Sequence, residues 1–315
     1  MNIVVTDGFT LNPGDISWDD IESIGELKVY DRTPAALIVE RCRQADIVLT
    51  NKVPFNNQII EELDQLKMIS VLATGYNVID TKAAAEKNIL VCNVPAYGTA
   101  SVAQHVFALL LEMINHVGLH AASVKAGDWQ RSPDWSYTKM PITELAGKTI
   151  GIVGLGNIGT KVASIAQAFG MKVIYNSRNM GTGTTAVYAD IKTLFAQSDV
   201  VSLHCPLTPA NTGFVNAGLL AVMKSSAILI NTARGHLINE NDLADALNNK
   251  IIAGAALDVL SAEPALPANP LLNAANCITT PHQAWVTREA RERVMKITAN
   301  NIKAFLKKQP VNKVN

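Results

Sequence analysis

An apolar run at residues 149–153 leads into Gly154-Leu155-Gly156-Asn157-Ile158-Gly159. A helical pattern follows to Phe169, Gly170 ends it, and a second apolar run occupies 172–175. No other stretch constrains the fold as much as this strand–turn–helix–strand succession. The hexapeptide fits G-x-G-x-x-G, and each glycine has a mechanical reason: a tight turn, room for a pyrophosphate, and close packing of helix on strand. A helix start carries N–H groups without intrahelical acceptors, and its dipole favours an anion. A dinucleotide therefore fits against Gly154, Gly156, Asn157, Ile158 and Gly159.

The rest of the chain repeats the alternation. Before residue 98, apolar runs lie at 3–6, 27–30, 47–50, 68–72 and 90–92, with helical patterns between several of them at 35–43, 56–63 and 81–86. After 149, runs at 200–203, 227–231, 254–256 and 277–279 alternate with helices at 190–196, 217–223 and 240–248. Strands alternating with helices predict an α/β protein with two doubly wound parallel-sheet domains. Residues 99–282 form the dinucleotide-binding Rossmann domain. A last helix at 287–307 returns to the first domain, which is then discontinuous, 1–98 plus 283–315. Residues 99–120 read as one helix, apolar nearly all round and so buried on most sides. The polar, aromatic loop 127–141, with Trp129 and Trp135, is either a linker or an arm reaching a partner. Together helix and loop predict a homodimer.

Composition excludes several partners. The 315 residues carry 27 Lys plus Arg and 27 Asp plus Glu, with no block of like charge, which predicts neither nucleic acid nor an anionic membrane as partner. No apolar run is long enough to span a bilayer. The four cysteines are far apart in apolar surroundings and read as reduced thiols. With no signal-peptide pattern at the start, the expected location is cytoplasmic. His105, His116 and His120 share the 99–120 stretch but lack the H-E-x-x-H pattern, so no metal is expected. Ala146-Gly147-Lys148-Thr149 resembles the tail of a P-loop, but its glycine precedes the strand instead of following it.

The cofactor can be read one step further. An acidic residue at the end of the second strand normally holds the adenosine ribose 2′-hydroxyl. Here Asn176-Ser177-Arg178 stands there, and no Asp or Glu occurs between Gly159 and Ala189. Nothing in that stretch repels a 2′-phosphate, and Arg178 can pair with one. Both NADP(H) and NAD(H) fit this reading, with NADP(H) use favoured.

Three further turns follow candidate strands: Asn231-Thr232-Ala233-Arg234-Gly235, Asp258-Val259-Leu260-Ser261-Ala262-Glu263-Pro264 and Thr280-Pro281-His282-Gln283-Ala284-Trp285. Their common position, at the carboxyl ends of strands in one nucleotide-binding sheet, is where open α/β sheets hold ligands. With V-P-A-Y-G-T-A-S-V-A-Q-H at 94–105 and L-A-G-K-T-I-G-I-V-G-L-G-N-I-G at 145–159, these motifs make the chain resemble the D-isomer-specific 2-hydroxyacid dehydrogenases over nearly its whole length. S-P-D-W-S-Y (132–137) and H-Q-A-W (282–285) resemble the glycerate dehydrogenase and hydroxypyruvate/glyoxylate reductase branch. Gln104 and Asn176 depart from the family's usual Glu and Asp.

The resemblance implies a flavodoxin-like substrate domain and a catalytic set of Arg234, Glu263 and His282. The chemistry agrees with that set. Arg234 offers a planar charged fork for a 2-keto acid. His282 exchanges the proton, and Glu263 orients the ring and favours its charged form. The resemblance also implies cofactor contacts at Cys205, Pro206, Thr232, Ala233 and Asp258, and substrate contacts at Ala73, Thr74, Gly75 and Trp285. Two rival readings remain at this level: a 3-phosphoglycerate dehydrogenase, which needs a basic cluster that the 73–77 loop lacks, and an NAD(H)-sensing corepressor on the same fold.

Overall fold

The computed structural model describes residues 1–178 and 186–315. The chain divides into two compact units, Met1–Gly98 with Trp285–Asn315, and Thr99–Ala284.

In the first unit, β1 (Asn2–Val5), β2 (Glu26–Val29), β3 (Ile47–Thr50), β4 (Met68–Val71) and β5 (Leu90–Cys92) pair in parallel in the order β2-β1-β3-β4-β5. That is the flavodoxin-like order. The central strands β3 and β4 are buried along their whole length because both faces are covered, whereas the edge strand β2, with Glu26 and Lys28, is mostly exposed. Val4, Val48, Ile69 and Val91 join one core, Ile3, Val5, Ile47, Leu49 and Met68 the other. The second core is closed by the C-terminal helix Arg288–Leu306, through Ala290, Val294, Met295, Ala299 and Ile302. Thr287 caps that helix by accepting the Ala290 N–H.

The second unit holds β6 (Thr149–Val153), β7 (Lys172–Asn176), β8 (Val187–Tyr188), β9 (Val200–Leu203), β10 (Ile228–Asn231), β11 (Gly254–Leu257) and β12 (Cys277–Thr279). They pair in parallel in the order β12-β11-β10-β9-β6-β7-β8. Counted from β6 this is the doubly wound dinucleotide-binding order with one strand added at the β12 edge. The order reverses between β6 and β9, the crevice where such sheets hold ligands. Sequence pattern misses β8, since it is only two residues long and exposed at the sheet edge.

One expectation is corrected. Residues 99–120 do not form a single helix: Thr99–Asn115 and Val117–Lys125 meet at 56°. His116 breaks them with a left-handed backbone at φ 49°. The Glu112 carboxylate accepts the N–H of Gly118, taking one of the orphan donors at the new helix start. Only the first helix is buried on most sides. The second leaves Val117 and Leu119 exposed and buries only Ser123. Apolar residues continue across the junction, so periodicity alone cannot reveal the turn. Among the described residues no single helix is long and apolar enough to cross a membrane.

Candidate active site

The glycine turn lies between β6 and the helix Asn157–Ala168, and each expected role has a steric counterpart. Gly154 sits at φ 96°, and a Cβ there would lie 2.7 Å from the backbone of His204 and Cys205. A Cβ on Gly159 would collide with the Gly154 carbonyl, so helix and turn touch through that glycine. Around Gly156 there is open space, and no side chain caps the helix it begins. The donors at this helix start are thus offered to a ligand. A cavity of about 440 Å³ adjoins the turn. Gly154, Gly156, Asn176, Ser177, Arg178, Cys205 and Pro206 line it, as do His204 and Asn211. Of the other residues expected at the cofactor, Asn157, Ile158, Gly159, Thr232, Ala233 and Asp258 do not line this cavity. Asn157, Ile158 and Gly159 form the first turn of the helix. Thr232 is buried, and its hydroxyl has no partner among the described residues. A buried hydroxyl without a partner, at the carboxyl end of β10, fits a site built to receive a polar group.

The Asn176 side-chain amide donates to the Ala189 carbonyl at 2.9 Å, and its backbone carbonyl accepts the Gly154 N–H at 2.8 Å. The residue that replaces the usual carboxylate therefore ties the glycine turn to the second strand.

Arg234, Glu263 and His282 follow β10, β11 and β12, three adjacent strands. Asn231 closes the first turn, accepting the Ala233 N–H and donating to the Arg234 carbonyl. Gly235 must lack a Cβ because its Cα faces the backbone of Leu260 and Ser261, in the loop that carries Glu263. His282 Nδ1 lies 2.6 Å from Glu263 Oε2, and the other carboxylate oxygen accepts the Leu260 N–H at 3.3 Å. A carboxylate can only accept, so Nδ1 carries the hydrogen and Nε2 is the nitrogen left for chemistry. Both side chains are partly exposed, and both line a second cavity of about 410 Å³ that Asp258 shares.

Asp258 is 1% exposed. Burial works against its charge. Hydrogen bonds from His105, Thr280 and the Ala284 and Gln283 N–H groups outweigh that effect and hold its carboxyl below the ordinary range. Motif reading identifies Asp258 but misses these partners. It also misses Glu240, whose carboxylate accepts from Ser261 N–H, Ser261 Oγ and Asn269 Nδ2 and so fixes the 258–264 loop. His105 and Glu240 lie on helices remote in sequence from the turns they serve, and nothing local in the sequence links them to those turns.

In the first unit, the residues expected at the substrate follow β4. Thr74 Oγ1 donates to the Val94 carbonyl, and the Thr74 carbonyl accepts from Asn93 Nδ2, so this loop is pinned to the strand-β5 side. Trp285 is half-buried and packs edge-on against Tyr97, ring centroids 6.1 Å apart.

Comparison with known proteins agrees with this architecture. The family described as D-isomer specific 2-hydroxyacid dehydrogenase, NAD binding domain, matches residues 107–284. The chain is 48% identical over 321 residues to a hydroxypyruvate reductase of Blautia hydrogenotrophica, covering 100% of both. It is 40% identical to a glycerate dehydrogenase of Methylorubrum extorquens, covering 92% of each. Among solved structures, an acyclic imino acid reductase in complex with NADPH and D-Arg superposes with a TM-score of 0.88 at 33% identity, covering 100% of both chains.

Proposed function

The chain belongs to the D-isomer specific 2-hydroxyacid dehydrogenase family, and from that premise we propose that it interconverts hydroxypyruvate and D-glycerate, with glyoxylate as a second substrate. It is an NAD(P)-dependent oxidoreductase acting on the CH–OH group of a 2-hydroxy acid. The observation that carries the mechanistic reading is the 2.6 Å pair of His282 and Glu263 beside the buried Asp258.

When bound, the reduced nicotinamide supplies the hydride. The protein's own residues do the rest. Arg234 holds the substrate carboxylate and polarises the carbonyl with its charged fork. Protonated His282 gives its Nε2 proton to the carbonyl oxygen and ends as the neutral Nδ1–H form, still bonded to Glu263. In the oxidative direction the same nitrogen takes the proton back. Residues 73–75 and Trp285 are assigned to the substrate. The glycine turn, residues 176–178, Cys205, Pro206, Thr232, Ala233 and Asp258 are assigned to the cofactor, in a Rossmann domain of 99–282. Residues 1–98 plus 283–315 are the substrate domain.

We propose that NADP(H) is used as well as NAD(H), with NADP(H) use favoured. The support is Asn176 in place of a carboxylate, with Arg178 on the same cavity wall. The protein is a homodimer through residues 99–120 and 127–141, a reading supported by Trp135, 89% exposed, and by the exposed Trp129, Ile142 and Val117. Its four free cysteines accord with a cytoplasmic setting.

The test is loss of absorbance at 340 nm with hydroxypyruvate, glyoxylate and 3-phosphohydroxypyruvate, each with NADPH and NADH. Hydroxypyruvate is expected to give the highest kcat/KM, and NADPH to match or exceed NADH. A phosphorylated substrate in first place overturns the substrate assignment, and a strong NADH preference overturns the cofactor assignment.

A further inference from the structure

His105 lies near the start of the helix Thr99–Asn115, half-buried, with Nε2 3.1 Å from Thr280 Oγ1 and 3.4 Å from Asp258 Oδ1. The direction of these contacts follows from counting protons. The Thr280 hydroxyl has one hydrogen, and it points to Asp258 Oδ1 at 2.6 Å. Towards His105 the hydroxyl can only accept, so His105 Nε2–H is the donor.

Asp258 in turn holds the turn that carries His282. Its backbone carbonyl accepts the His282 N–H at 2.9 Å, a hydrogen it shares with the Thr280 carbonyl, also at 2.9 Å. Its carboxylate accepts the next two N–H groups, Gln283 on Oδ1 and Ala284 on Oδ2, each at 2.9 Å. Three successive amides thus rest on one residue. They need to, because His282 adopts φ 50°, a left-handed conformation that strains a residue bearing a Cβ. Such a backbone persists only where its surroundings over-determine it. The carboxylate that does so is itself buried, and a buried carboxylate keeps its place only while its acceptor sites are filled.

We infer that His105 is a positioning residue for the reaction: by donating Nε2–H to Thr280 and Asp258, it locks the 280–284 turn and sets where the imidazole of His282 stands. Its action is mechanical and runs through Thr280 and Asp258: it sets the alignment of the proton donor, and its effect on the cofactor is limited to what passes through Asp258.

The inference rests on the reading of His282 as the proton donor, and one set of variants separates the two. His105→Ala, His105→Gln, Thr280→Val and His282→Ala are compared for kcat and KM with the best 2-keto acid, and for cofactor Kd by NAD(P)H fluorescence. Misalignment by an ångström costs up to about 10²-fold. We therefore expect His105→Ala to lower kcat about tenfold or more, with KM for the 2-keto acid within about twofold and a change in cofactor Kd smaller than the change in kcat. Gln retains an N–H donor and should restore most of kcat. Thr280→Val, which removes the bridging hydroxyl, should reproduce the Ala defect and carries the test if His105→Ala does not fold. Wild-type kcat in His105→Ala, a rise in KM or Kd with kcat kept, or equal losses in the Ala and Gln variants overturns the positioning role. Turnover retained in His282→Ala overturns the underlying reading instead.

Discussion

At the residue scale, proton accounting decides what His282 can do. Glu263 occupies Nδ1 at 2.6 Å, so only Nε2 can meet a substrate oxygen. Removal of a general acid typically costs about 10²–10⁴-fold, so His282→Ala should lose that much in kcat. The ring does not line the cavity beside the glycine turn, so Kd for reduced cofactor should stay near the wild-type value. Stopped-flow single turnover with fluorescence titration measures both, and lost binding with intact turnover would contradict the role. The strand-end positions of Arg234, Glu263 and His282 were legible in sequence, because a charged turn after an apolar run is a local signal. The donors on Asp258 were not. His105 and Thr280 are 175 residues apart, and Thr280 and Asp258 are 22 apart.

At the element scale, the glycine turn is a steric object. A methyl group at Gly159 meets the Gly154 carbonyl head-on, so Gly159→Ala must push the helix Asn157–Ala168 off β6. Overpacking of this kind typically costs about 1–3 kcal/mol. We expect a lower Tm in Gly159→Ala and a larger loss in dinucleotide affinity; wild-type values for both would refute the contact. The arm after Val117–Lys125 is held differently. Asp128 accepts from Ser123 Oγ and pairs with Lys139 and Arg131. The Lys139 ammonium, with help from Ser123 and Arg131, lowers its pKa from 3.8 to about 2. A depressed carboxylate stabilises the folded arm above its ordinary pKa and loses that contribution as pH falls through the lower folded value. Fluorescence of Trp129 and Trp135 should therefore hold constant down to pH 3.8 and change between there and about 2. The Asp128→Asn variant should lack that step. Of this region, sequence pattern read the aromatic loop but not the break at His116, since a single left-handed residue leaves the apolar periodicity almost unchanged.

At the scale of the whole molecule, the exposed apolar side chains of the second unit predict association. Light scattering should give twice the chain mass at micromolar concentration. Buried interface tryptophans are typically worth about 2 kcal/mol or more. Trp129→Ser with Trp135→Ser should then shift the population to monomer, and a monomeric wild type would remove the dimer assignment. Both sheets were legible as alternating apolar runs and helical patterns. The strand orders β2-β1-β3-β4-β5 and β12-β11-β10-β9-β6-β7-β8 were not, because alternation requires parallel pairing without saying which strands are neighbours.

Sequence by itself determined the α/β class, the glycine turn and the three charged strand ends. All of these depend on residues a few positions apart, whose spacing a helix or strand translates directly into geometry. Only the tertiary structure decided that Asp258 would gather His105, Thr280 and three successive backbone amides around a strained His282. That grouping needs strands β11 and β12 paired and the helix Thr99–Asn115 packed across them, contacts between segments that share no local pattern.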